Sequence, residues 1–108
     1  HQTKPIDFIE RFCSRLNINK ELTMLCKFIA KKIEANNDIP ENTPHSVAAG
    51  IVYFVSQECN LNISKKQIKI CSEISEVTIN KCYKKLEKIN IAKNTMLIPN
   101  VVKQKYAI

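Results

Sequence analysis

Thr43-Pro44-His45-Ser46-Val47-Ala48-Ala49-Gly50-Ile51-Val52-Tyr53-Phe54-Val55 decides the fold. Thr43 followed by Pro44 is an N-cap and a proline at the first helical position, where the missing N–H has no partner to lose. The residues after it are apolar nearly all round the expected helix. A helix of that kind is buried among other helices rather than laid on a surface. The small side chains at Ala48, Ala49 and Gly50 predict close approach by its neighbours. The stretch therefore reads as the central helix of an all-α domain.

Upstream, two amphipathic helices are expected. Pro5 to about Leu16 puts Ile6, Ile9, Phe12, Cys13 and Leu16 on one face, and Lys20 to about Asn36 does the same with Leu22, Leu25, Cys26, Ile29 and Ile33. Asn17 to Asn19 separates them, and Asn36, Asn37, Asp38 and Pro40 end the second. Downstream, Ser64-Lys65-Lys66-Gln67 fits a capping box, with Ile63 and Ile68 as its hydrophobic staple. A short fourth helix runs from there to about Ser72. Ser75 caps a fifth that runs to about Lys88, which leaves a turn of about three residues and helix-turn-helix spacing. Residues 97–108 are expected to form an irregular tail with some apolar anchoring, since Pro99 opposes a long final helix. The repeat itself is placed at 1–96, with a core of about 5–90.

Composition agrees with helices. The chain has 108 residues, 44% of them hydrophobic, but one glycine and four prolines, too few turn formers for a sandwich or barrel. One core is affordable at this length, not two. No run approaches the roughly 20 apolar residues of a membrane span, and His1 to Ile6 lacks the apolar segment of a secretion signal. A soluble module with no membrane partner is expected. The abrupt start at His1 suits a piece of something longer, and His1 is assigned no role.

The position of the charge says more than its size. Residues 1–62 balance seven basic against seven acidic side chains; residues 63–108 hold ten lysines against three acids, which is the whole net excess of +7. A polyanionic partner would sit against the C-terminal half, although a solubilising lysine surface gives the same count. Cys13, Cys26, Cys59, Cys71 and Cys82 show no metal-ligand spacing, and four lie in apolar helical stripes, so buried thiols in a reducing compartment are expected. His45 is the one internal histidine, and no catalytic set assembles around it. No enzymatic activity, metal or cofactor is expected.

At about 100° per residue the fifth helix separates into two faces. Ile79, Cys82, Tyr83 and Leu86 fall on one side, and Val77, Asn80, Lys81, Lys84 and Lys88 on the other. A short apolar residue, an amide and three lysines along one stripe suit a major groove: a thymine methyl for Val77, adenine for Asn80, phosphates or guanine edges for the lysines. Lys65, Lys66 and Gln67 at the start of the fourth helix, with its free N–H groups, are the candidate phosphate contacts. A solvated basic face is the alternative reading of the same stripe.

Thr43 to Tyr53 closely resembles the S-P-x-S-V-A-A-A-A-I-Y motif of transcription factor IIB cyclin repeats. Asp7-Phe8-Ile9-Glu10-Arg11-Phe12-Cys13-Ser14 resembles the opening of the second repeat, and Glu76-Val77-Thr78-Ile79 its D-V-T-I. The resemblance implies a five-helix cyclin-like fold whose last two helices sit on duplex promoter DNA upstream of the TATA box. It implies TATA-binding protein as a partner, and RNA polymerase through regions outside these residues. The expected location is the nucleus in a eukaryote, or the site of viral or archaeal transcription. By position Val77 matches a base-contacting valine and Lys84 a basic residue near the backbone. Asn80 stands where the family commonly has arginine, which favours an A/T-leaning or weakly specific contact. Glu73 stands in the turn where many such motifs have glycine, and either repels DNA or strains a left-handed position. Two other readings share the repeat: a cyclin-type protein-binding module, and a polymerase III-type relative.

Overall fold

Caps expected from the sequence at Thr43, Ser64 and Ser75 set three of the helix starts. The structure is a computed structural model that describes residues 4–36, 42–92 and 97–107. Its helices are α1 (Pro5–Arg15), α2 (Lys20–Asn36), α3 (Pro44–Glu58), α4 (Lys65–Ser72), α5 (Glu76–Ala92) and α6 (Asn100–Lys105). The described residues contain no strand, and the all-α expectation holds. Thr43 Oγ1 accepts from the Ser46 N–H at 3.2 Å to cap α3, and Asn19 Oδ1 accepts from the Leu22 N–H at 2.9 Å to cap α2. Asn17 and Asn60 carry the positive φ angles that turn the chain after α1 and α3, a backbone region asparagine tolerates better than most residues.

Helix α3 packs against α1, α2, α4 and α5. Its residues from Ser46 to Val52 are all buried, which is what an apolar circumference requires in water. Ile9, Phe12, Leu22, Ile29, Ile68, Ile79 and Leu86 close around it with essentially no exposure. The tightest point is Gly50. A Cβ there would collide with the Cβ of Cys82, so the absence of a side chain lets α5 lie against α3.

The C-terminal tail departs from expectation. Helix α5 runs to Ala92, and the segment expected to be irregular contains α6. Pro99 precedes that helix with φ −59°, the value its ring imposes, and so serves as its N-cap rather than as a barrier. Six residues are too few for periodicity to reveal. Leu97 and Ile98 are buried in the same core, and Tyr106 fastens the end. Its hydroxyl donates to Glu21 Oε1 at 3.1 Å and accepts from Asn19 Nδ2 at 2.9 Å, and its carbonyl accepts from Asn60 Nδ2 at 2.6 Å. Lys105 adds an ion pair to Glu21 at 2.7 Å. These bonds hold the Glu21 carboxyl below its usual range, Lys105 contributing most and Tyr106 next.

Candidate nucleic-acid interface

Helix α4 begins with the capping box its sequence announces. The Gln67 N–H donates to Ser64 Oγ at 3.2 Å, and the Ser64 N–H donates to Gln67 Oε1 at 2.8 Å. Ile63 is half-buried and Ile68 fully buried, as a staple requires. The helix ends at Glu73, which adopts φ 63° and ψ 22°. A carboxylate-bearing residue thus occupies the left-handed position where glycine is free of strain. Ser72 Oγ accepts from the Ile74 N–H at 3.2 Å, Ser75 Oγ accepts from the Thr78 N–H at 3.2 Å, and α5 starts at Glu76. The two helices and their short turn pack against each other and against α3.

A bond from α1 fixes the near helix. Arg15 Nη1 donates to the Cys71 carbonyl at 2.6 Å, supplying a cation to one of the last carbonyls of α4. Nothing local in the sequence joins residues 15 and 71, so periodicity could not find this contact.

The faces of α5 fall where the projection puts them. Ile79, Cys82 and Leu86 have no exposure, and Val77 on the other side is 64% exposed. Lys81, Lys84 and Lys88 are exposed on that same outward side, and Lys66 and Gln67 are exposed on α4. Gln67 commits its oxygen to the capping box and keeps its NH2 group for other partners. Lys85 turns aside to donate to Asn42 Oδ1 at 2.6 Å. Tyr83 is half-buried, stands edge-on to Tyr53 at 5.0 Å, and has its phenol pushed up to about 12, first by burial and then by the Glu87 charge. It is therefore a neutral packing residue between α5 and α3.

Lys65 and Asn80 differ from the rest of the stripe. Both are half-buried, and Lys65 Nζ donates to Asn80 Oδ1 at 3.3 Å while lying over the Tyr53 ring, 5.9 Å from its centre. Together with Glu76, Val77 and Lys81 they line a shallow depression where α4 meets α5. The sequence placed Lys65 and Asn80 on the same surface but gave no sign that they bond each other.

The remaining chemistry-bearing residues are spent on packing. His45 stacks on Phe8 at 4.7 Å and beside Phe12 at 5.5 Å. All five cysteines are buried and none forms a disulfide. Cys26 is held well above the ordinary thiol range by its hydrogen bond with Cys13 and by burial, and burial raises Cys59 and Cys71. Among the described residues no group of three or more His, Cys, Asp or Glu is placed to hold a metal ion, and no helix is long and apolar enough to cross a membrane.

Comparison with known proteins gives one family. The sequence model of the transcription factor TFIIB repeat matches residues 1–89. A putative transcription initiation factor IIB-like protein of Acanthamoeba polyphaga mimivirus is 38% identical over 80 residues, 74% of this chain and 17% of that protein. Transcription initiation factor IIB of Xenopus laevis is 35% identical over 78 residues, 72% of this chain and 25% of that protein, and the Homo sapiens factor matches to the same extent. The chain thus spans a quarter or less of the length of these relatives.

Proposed function

The chain belongs to the TFIIB repeat family, and from that premise we propose that it is the second cyclin-like repeat of a general transcription initiation factor that docks on promoter DNA. The docking surface is α4 and α5. Helix α5 lies in the major groove with Val77 and Asn80 towards base edges, and Lys81, Lys84 and Lys88 follow the phosphates. Lys66, Gln67 and the first N–H groups of α4 meet the backbone beside it. The partners are duplex DNA upstream of the TATA box and TATA-binding protein. Polymerase recruitment belongs to parts of such a factor outside these residues, and the place of action is the nucleus or a site of viral transcription.

The observation that carries this reading is the two-sidedness of α5. Ile79, Cys82 and Leu86 have no exposure, and directly behind them an open stripe carries Val77 and three lysines in the half of the chain that holds the entire net charge. A solvated helix needs lysines, but it gains nothing from a valine left 64% exposed among them. A thymine methyl is a partner for that side chain.

A gel shift on a TATA-containing duplex, with and without TATA-binding protein and at two salt concentrations, tests the proposal. If Lys66, Lys81, Lys84 and Lys88 each neutralise a phosphate, about four counterions are released. Affinity should then fall roughly 100-fold between about 50 and 200 mM salt. A shift that does not respond to salt, or no shift under any of these conditions, contradicts it.

A further inference from the structure

An asparagine that pairs with adenine uses both ends of its amide: the oxygen accepts from N6 and the NH2 group donates to N7. At Asn80 the oxygen is already engaged. Lys65 Nζ stands 3.3 Å from Oδ1, and an ammonium group can only donate, so the oxygen and not the NH2 group must face it. Lys65 is itself held, its stem half-buried at the start of α4 and its charge over the Tyr53 ring, which Tyr83 braces edge-on. The arrangement joins α3, α4 and α5 at one point and fixes the amide in one orientation.

We propose that Lys65 is a specificity-determining positioning residue, which turns Asn80 into a donor-only reader of keto bases, guanine or thymine, in the groove. Its NH2 group offers two hydrogens, which match N7 and O6 of guanine or O4 of thymine. Adenine and cytosine present an amino group, which could reach only the second lone pair of that oxygen, beside the Lys65 ammonium that competes for it. Val77, one turn earlier and open, favours thymine nearby through its methyl contact. Lys65 consequently contributes little as a phosphate contact, in contrast to Lys66, which is exposed. This inference rests on the docking of α5 on duplex DNA proposed above.

Two measurements on the full chain separate the inference from that premise. The first is NMR of the Asn80 side-chain NH2 group without DNA. It should be ordered in the wild type and in Lys65→Arg, and mobile in Lys65→Met and in Tyr53→Leu, which keeps the lysine but removes its ring. Equal mobility in all four overturns the positioning role whatever the DNA result.

The second is selection from a randomised duplex library, with salt titration of the selected site. The wild type should prefer guanine or thymine over adenine at one position by about fivefold or more, and Lys65→Met should move that position towards adenine by a similar factor. Lys65→Arg should restore the wild-type preference. Lys65→Met should leave the slope of log affinity against log salt nearly unchanged, whereas Lys66→Met lowers it by about 0.9. A wild-type preference for adenine, or a salt slope that falls equally in both variants, overturns the inference while leaving docking intact. An ordered Asn80 amide with no duplex selected by any protein overturns docking, and the inference with it.

Discussion

Gly50→Ala tests how α5 is seated. A Cβ on Gly50 meets the Cys82 Cβ at a separation carbon atoms do not adopt, and the Cys82 Cα and carbonyl carbon lie at 3.5 Å. These atoms are backbone or directly attached to it, so no rotamer change relieves the clash, and α3 and α5 must part. Overpacking of a well-filled core costs about 1–3 kcal/mol, and displacement of a helix belongs at the upper end. Alanine returns about 1 kcal/mol in helix propensity over glycine. The net expectation is a loss of about 2 kcal/mol, or roughly 8–16 °C in Tm for a domain near this size. Thermal and urea unfolding followed by circular dichroism read both. Cys82→Gly removes the obstructing carbon, so in that background Gly50→Ala should be neutral or favourable, a coupling of about 2–3 kcal/mol between the two sites. The TFIIB motif resembled by Thr43 to Tyr53 has alanine at the position of Gly50. A neutral or stabilising Gly50→Ala in the wild-type background, or additive behaviour with Cys82→Gly, would refute the close-approach argument.

Three further outcomes concern the supports of the site. Arg15→Gln removes the bond to the Cys71 carbonyl and should cost about 1 kcal/mol, less than a fully buried charged bond because the side chain is largely open; the urea midpoint and faster amide exchange within α4 report it. Glu73→Gly relieves the left-handed strain at φ 63° and should stabilise the fold by about 1 kcal/mol, raising Tm and strengthening duplex binding by removing a carboxylate from the turn. The α6 clasp should be acid-sensitive: because the folded Glu21 carboxyl is held below its usual range by Lys105 and Tyr106, its contribution is complete above the ordinary glutamate range and disappears as pH falls through the depressed value. A carbon-detected titration of Glu21 beside the Tyr106 amide should show both changing together, and an undepressed Glu21 would contradict it.

The helices were legible where their signals are local. Thr43-Pro44 and Ser64 to Gln67 are start signals contained within four residues, and the structure uses both. The burial of α3 followed from an apolar circumference, and the open side of α5 from a periodicity repeated over several turns. Glu73 is an unusual turn residue by sequence, and its left-handed backbone is the physical reason. What escaped notice is long-range. Arg15 with Cys71, Lys65 with Asn80 and Tyr53, and Tyr106 with Asn19, Glu21 and Asn60 are set by the way the helices cross, which no spacing along the chain encodes. Helix α6 escaped for another reason: at six residues it is held by Leu97, Ile98 and the clasp rather than by a stripe of its own.

Salt-titrated binding to promoter duplex by the wild type and by Lys81→Glu with Lys84→Glu is the most direct measurement of the docking proposal. Both lysines are exposed, so the double variant should fold with an unchanged circular dichroism spectrum and Tm within a few degrees. The proposal predicts that the wild type binds with a slope of about −3.6 in log affinity against log salt and that the folded variant loses at least about 100-fold in affinity, two contacts having become repulsions. A folded double variant that binds the duplex as tightly as the wild type, with the same slope, would contradict it.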